Sequence, residues 1–414
     1  MTNKKGNVLA IGIMFFLFAM VSFVTGLQNP MGVIAKAQFG ATNAMSQLGN
    51  LANFIAYAFM GLPAGFLLKG KGYKFTALAA IVVGFVGVGI SYLSGVFGSF
   101  AVYLLGAFVS GFSMCMLNTV VNPMLNTLGG GGNRGNQLIQ LGGSCNSLSA
   151  TIVPVFAGYL IGEITGNTQV SDVNPALFLA MGIFAVAFLI IFFSYIPEPE
   201  LEAGVKDEES TMESIKGAVS HKNLVFGIFA IFCYVGVEVG IPNVANLYMT
   251  DAVANGGLGI AAGAAGSLVG AYWFLMLIGR LAGGVIGGKV SSRTMMSVVC
   301  STAILFLVCA MFLPKTVTMS LLGSTVPVSV LFFVLCGLCT SVMWGAIFNL
   351  AVEGLGKYTS IASGLFMVMV CGGGILPLVQ GAVADVAGYI NSYWVLVAAL
   401  AYTLWFALSG SKTK

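Results

Sequence analysis

The sequence predicts an all-α membrane protein with twelve transmembrane helices in two six-helix, pseudo-symmetric bundles. Three observations predict it: a composition 58% hydrophobic and 7% charged, twelve apolar stretches of spanning length, and one long charged segment that divides them six and six. A soluble domain is roughly 25% charged, and so little polar surface cannot cover so much apolar surface. With 56 Gly and 20 Met, the helices are able to pack closely and to bend.

A spanning helix needs about 20 mostly apolar residues. Such stretches fall near 8–31, 46–68, 75–95, 99–127, 137–162 and 175–196, then near 223–249, 262–288, 294–314, 326–353, 359–384 and 390–410. The first has the look of a signal peptide, but its apolar run is too long and lacks a small-residue cleavage site, so it reads as an uncleaved span. The domains are therefore an N-terminal bundle over 1–196, a linker over 197–222 and a C-terminal bundle over 223–414. Within the linker, Ser210 and Glu213 have capping-box spacing, which predicts a short surface helix.

Lys and Arg set the orientation. Arg280 lies within a span and only Lys36 and Lys315 fall in outer loops; every other basic residue falls on one side, with both termini, which makes that side cytoplasmic. The eight cysteines all lie in apolar segments, and the single histidine, His221, has no cysteine at metal spacing, so neither a disulfide nor a metal site is expected. Cys336 and Cys339 form a CxxC that reads as two small packing residues. No cofactor and no nucleic-acid partner is expected.

Six spans, a linker and six spans resemble the plan of the major facilitator superfamily. The loop GFLLKGKGYK (65–74) resembles that superfamily's Gly-x-x-x-Asp-Arg-x-Gly-Arg-Arg latch, with Lys69 in place of the acid. A more specific resemblance, to the fucose–galactose–glucose:proton symporter family, rests on GLQNP (26–30), LPAGFLLKGKGYK (62–74), NTVVNPMLNTLG (118–129), FCYVGVEVG (232–240), FLMLIGRLAG (274–283), IFNLAVEGLG (347–356) and GLFMVMVCGGGILPLVQGAVADVAG (364–388). The resemblance runs through nearly the whole chain in order. It implies a monosaccharide importer of the bacterial inner membrane, with substrate near the midplane and two halves rocking around it.

Family members carry a Glu at the place of Asn118, while Asn122 and Pro123 match. A member with an Asp in span 1 aligns it with Asn29, and has a Gln where this chain has Glu238; the Arg at 280 is retained. By the resemblance, the acid has moved from the N-terminal half to the C-terminal half.

The residues agree. No Asp or Glu precedes Glu163, yet the first five spans hold Gln28, Asn29, Asn50, Asn53, Asn118, Asn122, Gln140 and Asn146. An amide both donates and accepts, as a sugar hydroxyl does. Gln28, Asn29, Asn118, Asn122, Gln140 and Asn146 are the candidate substrate contacts, against the alternative of helix–helix hydrogen bonds worth roughly 0.6 kcal/mol each; Asn50 and Asn53 read as packing. In the second half Tyr234, Trp273 and Trp344 offer faces for a pyranose ring, and Asn243, Asn246 and Asn349 offer further amides.

Glu238 and Arg280 are the two charges placed deep in spans, where ionisable groups are functional candidates by default. Glu238 is the candidate carrier of a coupling proton, with a structural pair to Arg280 as the alternative. Arg280 is also a candidate partner for the carboxylate of an acidic sugar. Sodium coupling and uncoupled transport stay open beside proton coupling. An enzyme is not expected: no nucleophile–base pair appears, and GGGG at 129–132 lacks the Lys-Ser/Thr of a phosphate loop. A monomer surrounded by membrane lipid suffices for the fold.

Overall fold

The computed structural model describes residues 8–23, 48–161, 170–198, 211–260, 262–321 and 324–412. Gln28 and Asn29 lie outside these, as does Lys36. Among the described residues nine helices are long and apolar enough to cross a membrane, one of them holding two of the predicted spans. Helix α1 is Val8–Phe23. Helix α2, Leu48–Phe97, holds two spans and bends at Gly72, whose φ of 81° and ψ of −178° break the helical run at the expected boundary. Then come α3 (Phe100–Leu128), α4 (Gly132–Ile161) and α5 (Asn174–Phe193). Three successive left-handed glycines, Gly130, Gly131 and Gly132, make the turn from α3 into α4.

The predicted linker helix is present as α6, Thr211–Val219. The second set of spans is α7 (Lys222–Thr250), α8 (Ala262–Ile286), α9 (Ser292–Phe312), a divided tenth span, a divided eleventh span and α14 (Tyr389–Trp405), which runs on as a π-turn over Phe406–Gly410. Ser291 caps α9 by accepting from the Thr294 amide. An unanticipated antiparallel hairpin, β1 (Thr318–Leu321) with β2 (Ser324–Pro327), pairs Thr318 with Pro327 and precedes the tenth span.

Hydropathy predicts unbroken helices over 326–353 and 359–384, and both are interrupted. The tenth span is α10 (Val328–Thr340) followed by α11 (Met343–Ala351). At the break, Thr340 Oγ1 donates to the Cys336 carbonyl (3.1 Å) and Ser341 Oγ to the Leu338 carbonyl (2.6 Å). Such back-bonds compete with the helical ladder. The eleventh span is α12 (Thr359–Val368), a 3₁₀ turn at Met369–Cys371, and α13 (Gly372–Ala387), where a run of glycines and Pro377 weaken the helix.

The residues group into two compact units. Unit 1 takes Met1–Leu128, Leu148–Ser220 and Leu355–Cys371; unit 2 takes Gly129–Ser147, His221–Gly354 and Gly372–Lys414. The grouping follows packing, so the first part of α4 belongs to unit 2 and α12 to unit 1, whereas the division at 197–222 follows chain order.

In unit 1 small residues let backbones approach. A Cβ on Gly61 would stand 2.6 Å from the Val368 amide nitrogen, and one on Gly65 would stand 3.1 Å from the Gly364 Cα. The basic 65–74 segment is tied to its neighbours by hydrogen bonds. Glu198 accepts from the Tyr73 and Lys74 amides at 2.7 and 2.8 Å, capping the helix that restarts after Gly72. Lys74 Nζ donates to the Ser194 carbonyl at 2.8 Å, and Lys69 to Ser214 of α6. In unit 2, α7 is the central helix. Its Gly227 faces Ala351, and its Gly240 faces Gln380 and Leu396.

Candidate functional site

Unit 2 brings Glu238 and Arg280 together. Arg280 Nη2 lies 3.1 Å from Glu238 Oε1, with side-chain exposures of 10% and 14%. The pairing alternative for these two charges is thus the observed geometry. A charge at this depth is costly unless it is paired and hydrogen-bonded, and the guanidinium meets both conditions. Nη1 donates to the Gly143 carbonyl (3.1 Å), Asn146 Oδ1 (3.2 Å) and Ser147 Oγ (2.9 Å), and Nε donates to the Ser341 carbonyl (3.3 Å). Ser341 lies at the break between α10 and α11, so the interruption presents an acceptor that a continuous helix would use internally.

Helix α7 carries the carboxylate on a bent stretch. Pro242 has no N–H, so the Glu238 carbonyl four residues back loses its helical donor. The Tyr272 hydroxyl takes that place, donating at 3.1 Å, and also lies 3.0 Å from Thr340 Oγ1. The Tyr234 hydroxyl adjoins the Glu238 carboxyl, and its ring stands edge-on to Trp344 at 6.4 Å between centroids. Asn146, Tyr234, Glu238, Arg280 and Trp344 therefore form one polar and aromatic cluster.

Other candidates in unit 2 are held elsewhere. Gln140 is buried and donates to the Val342 carbonyl at 2.6 Å and to Asn136 Oδ1 at 3.3 Å. Asn349 donates to Ser292 Oγ at 2.9 Å, at the first turn of α9. Trp273 packs edge-on against Tyr272 at 5.2 Å. Asn243 is exposed and Asn246 half-buried, one and two turns along α7 from Glu238.

In unit 1, Asn118 and Asn122 share one face of α3, as their spacing requires. Asn118 is 5% exposed and Asn122 fully buried. Asn118 Nδ2 donates to the Tyr57 hydroxyl and to the Met114 carbonyl, each at 3.1 Å, and Asn122 Nδ2 donates to the Asn118 carbonyl at 2.8 Å. Pro123 frees the Thr119 carbonyl, which accepts from Ser363 Oγ of α12 at 3.1 Å.

Sequence reading missed Ser147, Ser341 and Tyr272 beside the charge pair, and Tyr57 and Ser363 beside the amides. A signal existed for Tyr272 and Ser363. Each in-helix proline orphans the carbonyl four residues earlier, and in a membrane that carbonyl requires a donor.

The chain matches the model of the Major Facilitator Superfamily over residues 12–378. A protein of Brucella abortus named glucose/galactose transporter is 28% identical over 418 residues, covering 100% of this chain and 96% of that one. The L-fucose-proton symporter of Escherichia coli is 22% identical, covering 95% and 90%. A crystal structure of the E. coli fucose:proton symporter superposes with a TM-score of 0.83 at 19% identity, covering 99% of this chain and all of that one. With nine described helices long and apolar enough to cross a membrane, and a match across most of its length, the chain is an α-helical membrane transporter and not an enzyme, and it belongs to the Major Facilitator Superfamily.

Proposed function

We propose that the protein imports a neutral monosaccharide of the hexose or deoxyhexose class, coupled to a proton carried by Glu238. The observation that carries the substrate class is the full-length likeness to a protein named glucose/galactose transporter. The amide-rich, acid-free first five spans support it, since amides match hydroxyls in both donor and acceptor roles. Coupling through Glu238 is supported by the place of that carboxyl on α7 beside Arg280. Protonation would release the guanidinium from its carboxylate while leaving its bonds to Gly143, Asn146, Ser147 and Ser341.

In this reading Asn118, Asn122, Asn146, Tyr234 and Trp344 are the sugar contacts. Gln140 and Asn349 serve packing. The halves 1–196 and 223–414 alternate access across a bacterial inner membrane, with linker and termini cytoplasmic. Arg280 already serves five protein acceptors, so an acidic sugar gains no support from the geometry.

The test is solute counterflow in proteoliposomes with labelled glucose, galactose, fucose, mannose, N-acetylated hexoses and sialic acid. Glucose or galactose exchange is expected; exchange of sialic acid alone would overturn the neutral-sugar reading. Glu238→Gln is then expected to abolish uphill accumulation under a proton gradient while sparing counterflow. Accumulation that survives the substitution, or that follows a sodium gradient instead, removes Glu238 from coupling.

A further inference from the structure

A pocket of about 410 Å³ lies at the opposite end of unit 2 from Ser292, where α7 and α9 end and α14 begins. Its lining includes Tyr248, Lys315, Gly388, Tyr389, Ile390 and Asn391. Three features in it favour an anion. Gly388 caps α14 without any side-chain acceptor, leaving the first-turn amides of a long helix facing a pocket lined by Tyr389, Ile390 and Asn391. The Lys315 ammonium stands 5.1 Å from the Tyr248 ring centre and 3.3 Å from the Gly256 carbonyl, which fixes its charge at the pocket wall. Tyr248 is 1% exposed, and its hydroxyl has no hydrogen-bond partner among the described residues. Asp251, the acidic residue at the end of α7, accepts from the Tyr389 hydroxyl and the Ala252 amide, each at 2.8 Å.

The setting is that of a membrane interface. Phe312 and Trp394, 71% and 48% exposed, form an edge-to-face pair on α9 and α14. Phe312 adjoins the pocket residue Leu313, and Trp394 lies one turn beyond Asn391. Exposed aromatics at the ends of spans mark headgroup depth.

We propose that this pocket binds the phosphate of a phospholipid, with Lys315, the α14 N-terminus and the Tyr248 hydroxyl on the headgroup and the Phe312–Trp394 face along the acyl chains. The proposal does not depend on which solute is transported.

Native mass spectrometry of the full-length protein, titrated in micelles with dioleoylphosphatidylglycerol, tests it. Wild type is expected to retain one lipid, with retention falling about fivefold in Lys315→Gln, falling less in Tyr248→Phe, and preserved in Lys315→Arg. Dioleoylglycerol, which has the chains without the phosphate, should not be retained. An unchanged thermal unfolding midpoint in Lys315→Gln shows that the loss is local. Equal retention by Lys315→Gln and wild type overturns the site, as does retention of dioleoylglycerol to the same extent. Displacement of the lipid by millimolar inorganic phosphate overturns the lipid assignment in favour of a small-anion site.

Discussion

The amide face of α3 in unit 1 and the charge pair of unit 2 are both polar groups within membrane spans, and they are stabilised by different means. Asn118 and Asn122 satisfy their donors almost locally, on carbonyls one turn back in their own helix and on Tyr57. Arg280 draws acceptors from α4, α7 and the break after α10. A neutral amide can be carried by one helix. A guanidinium in the same medium needs several, so it fixes those helices to one another. An amide face is therefore cheap to remodel for a new substrate, whereas the charge cluster is a fixed point of its unit.

The contrast is broken first at Arg280. Arg280→Ala strands the Glu238 carboxylate, and loss of one partner of a buried pair costs about 3–5 kcal/mol. Thermal unfolding in detergent should show a large fall in midpoint, most of it recovered in the double variant Arg280→Ala with Glu238→Gln. Failure of the double variant to recover would place the stability in the Gly143, Ser147 and Ser341 contacts instead.

Tyr272→Phe comes next. It removes the donor from the carbonyl that Pro242 orphans, at a cost of about 1–3 kcal/mol. Pro242→Ala restores the helical donor, so in the double variant the cost of Tyr272→Phe should shrink markedly; additive effects in that cycle would rule out the shared carbonyl.

The smallest effect on stability is expected for Asn122→Ala, about 0.6 kcal/mol for one membrane hydrogen bond. Its effect on sugar binding should be much larger, roughly tenfold or more in counterflow affinity. Unaltered affinity would leave Asn122 as a packing residue.

Hydropathy located the spans because it measures what lipid selects: length and apolarity. Even the turn at Gly72, between two runs that the structure joins into α2, was marked by GKGYK. The same measure is blind to the breaks in spans ten and eleven. Thr340, Ser341 and Gly372–Gly374 are apolar enough to lie in a membrane, and what they change is the backbone ladder. That blindness also hides the partner of Gln140, since it is the break at Val342 that supplies the carbonyl it holds. Glu238 and Arg280 were individually visible, since charge within a span is conspicuous. Their contact was not, because they sit on different helices and nothing in the spacing along either one fixes how the two are rotated.

The cap at Glu198 bears on where this chain can be cut. The polar stretch beginning at Pro197 is a natural place to divide the gene into two co-expressed pieces, and a first piece ending at Ile196 would look complete by its six spans. It would lack the carboxylate that receives the amides of Tyr73 and Lys74, more than a hundred positions earlier. Extending that piece by two residues retains the acceptor. The true end of the sixth hydrophobic segment, judged by what its neighbours need from it, is an acid on the water side.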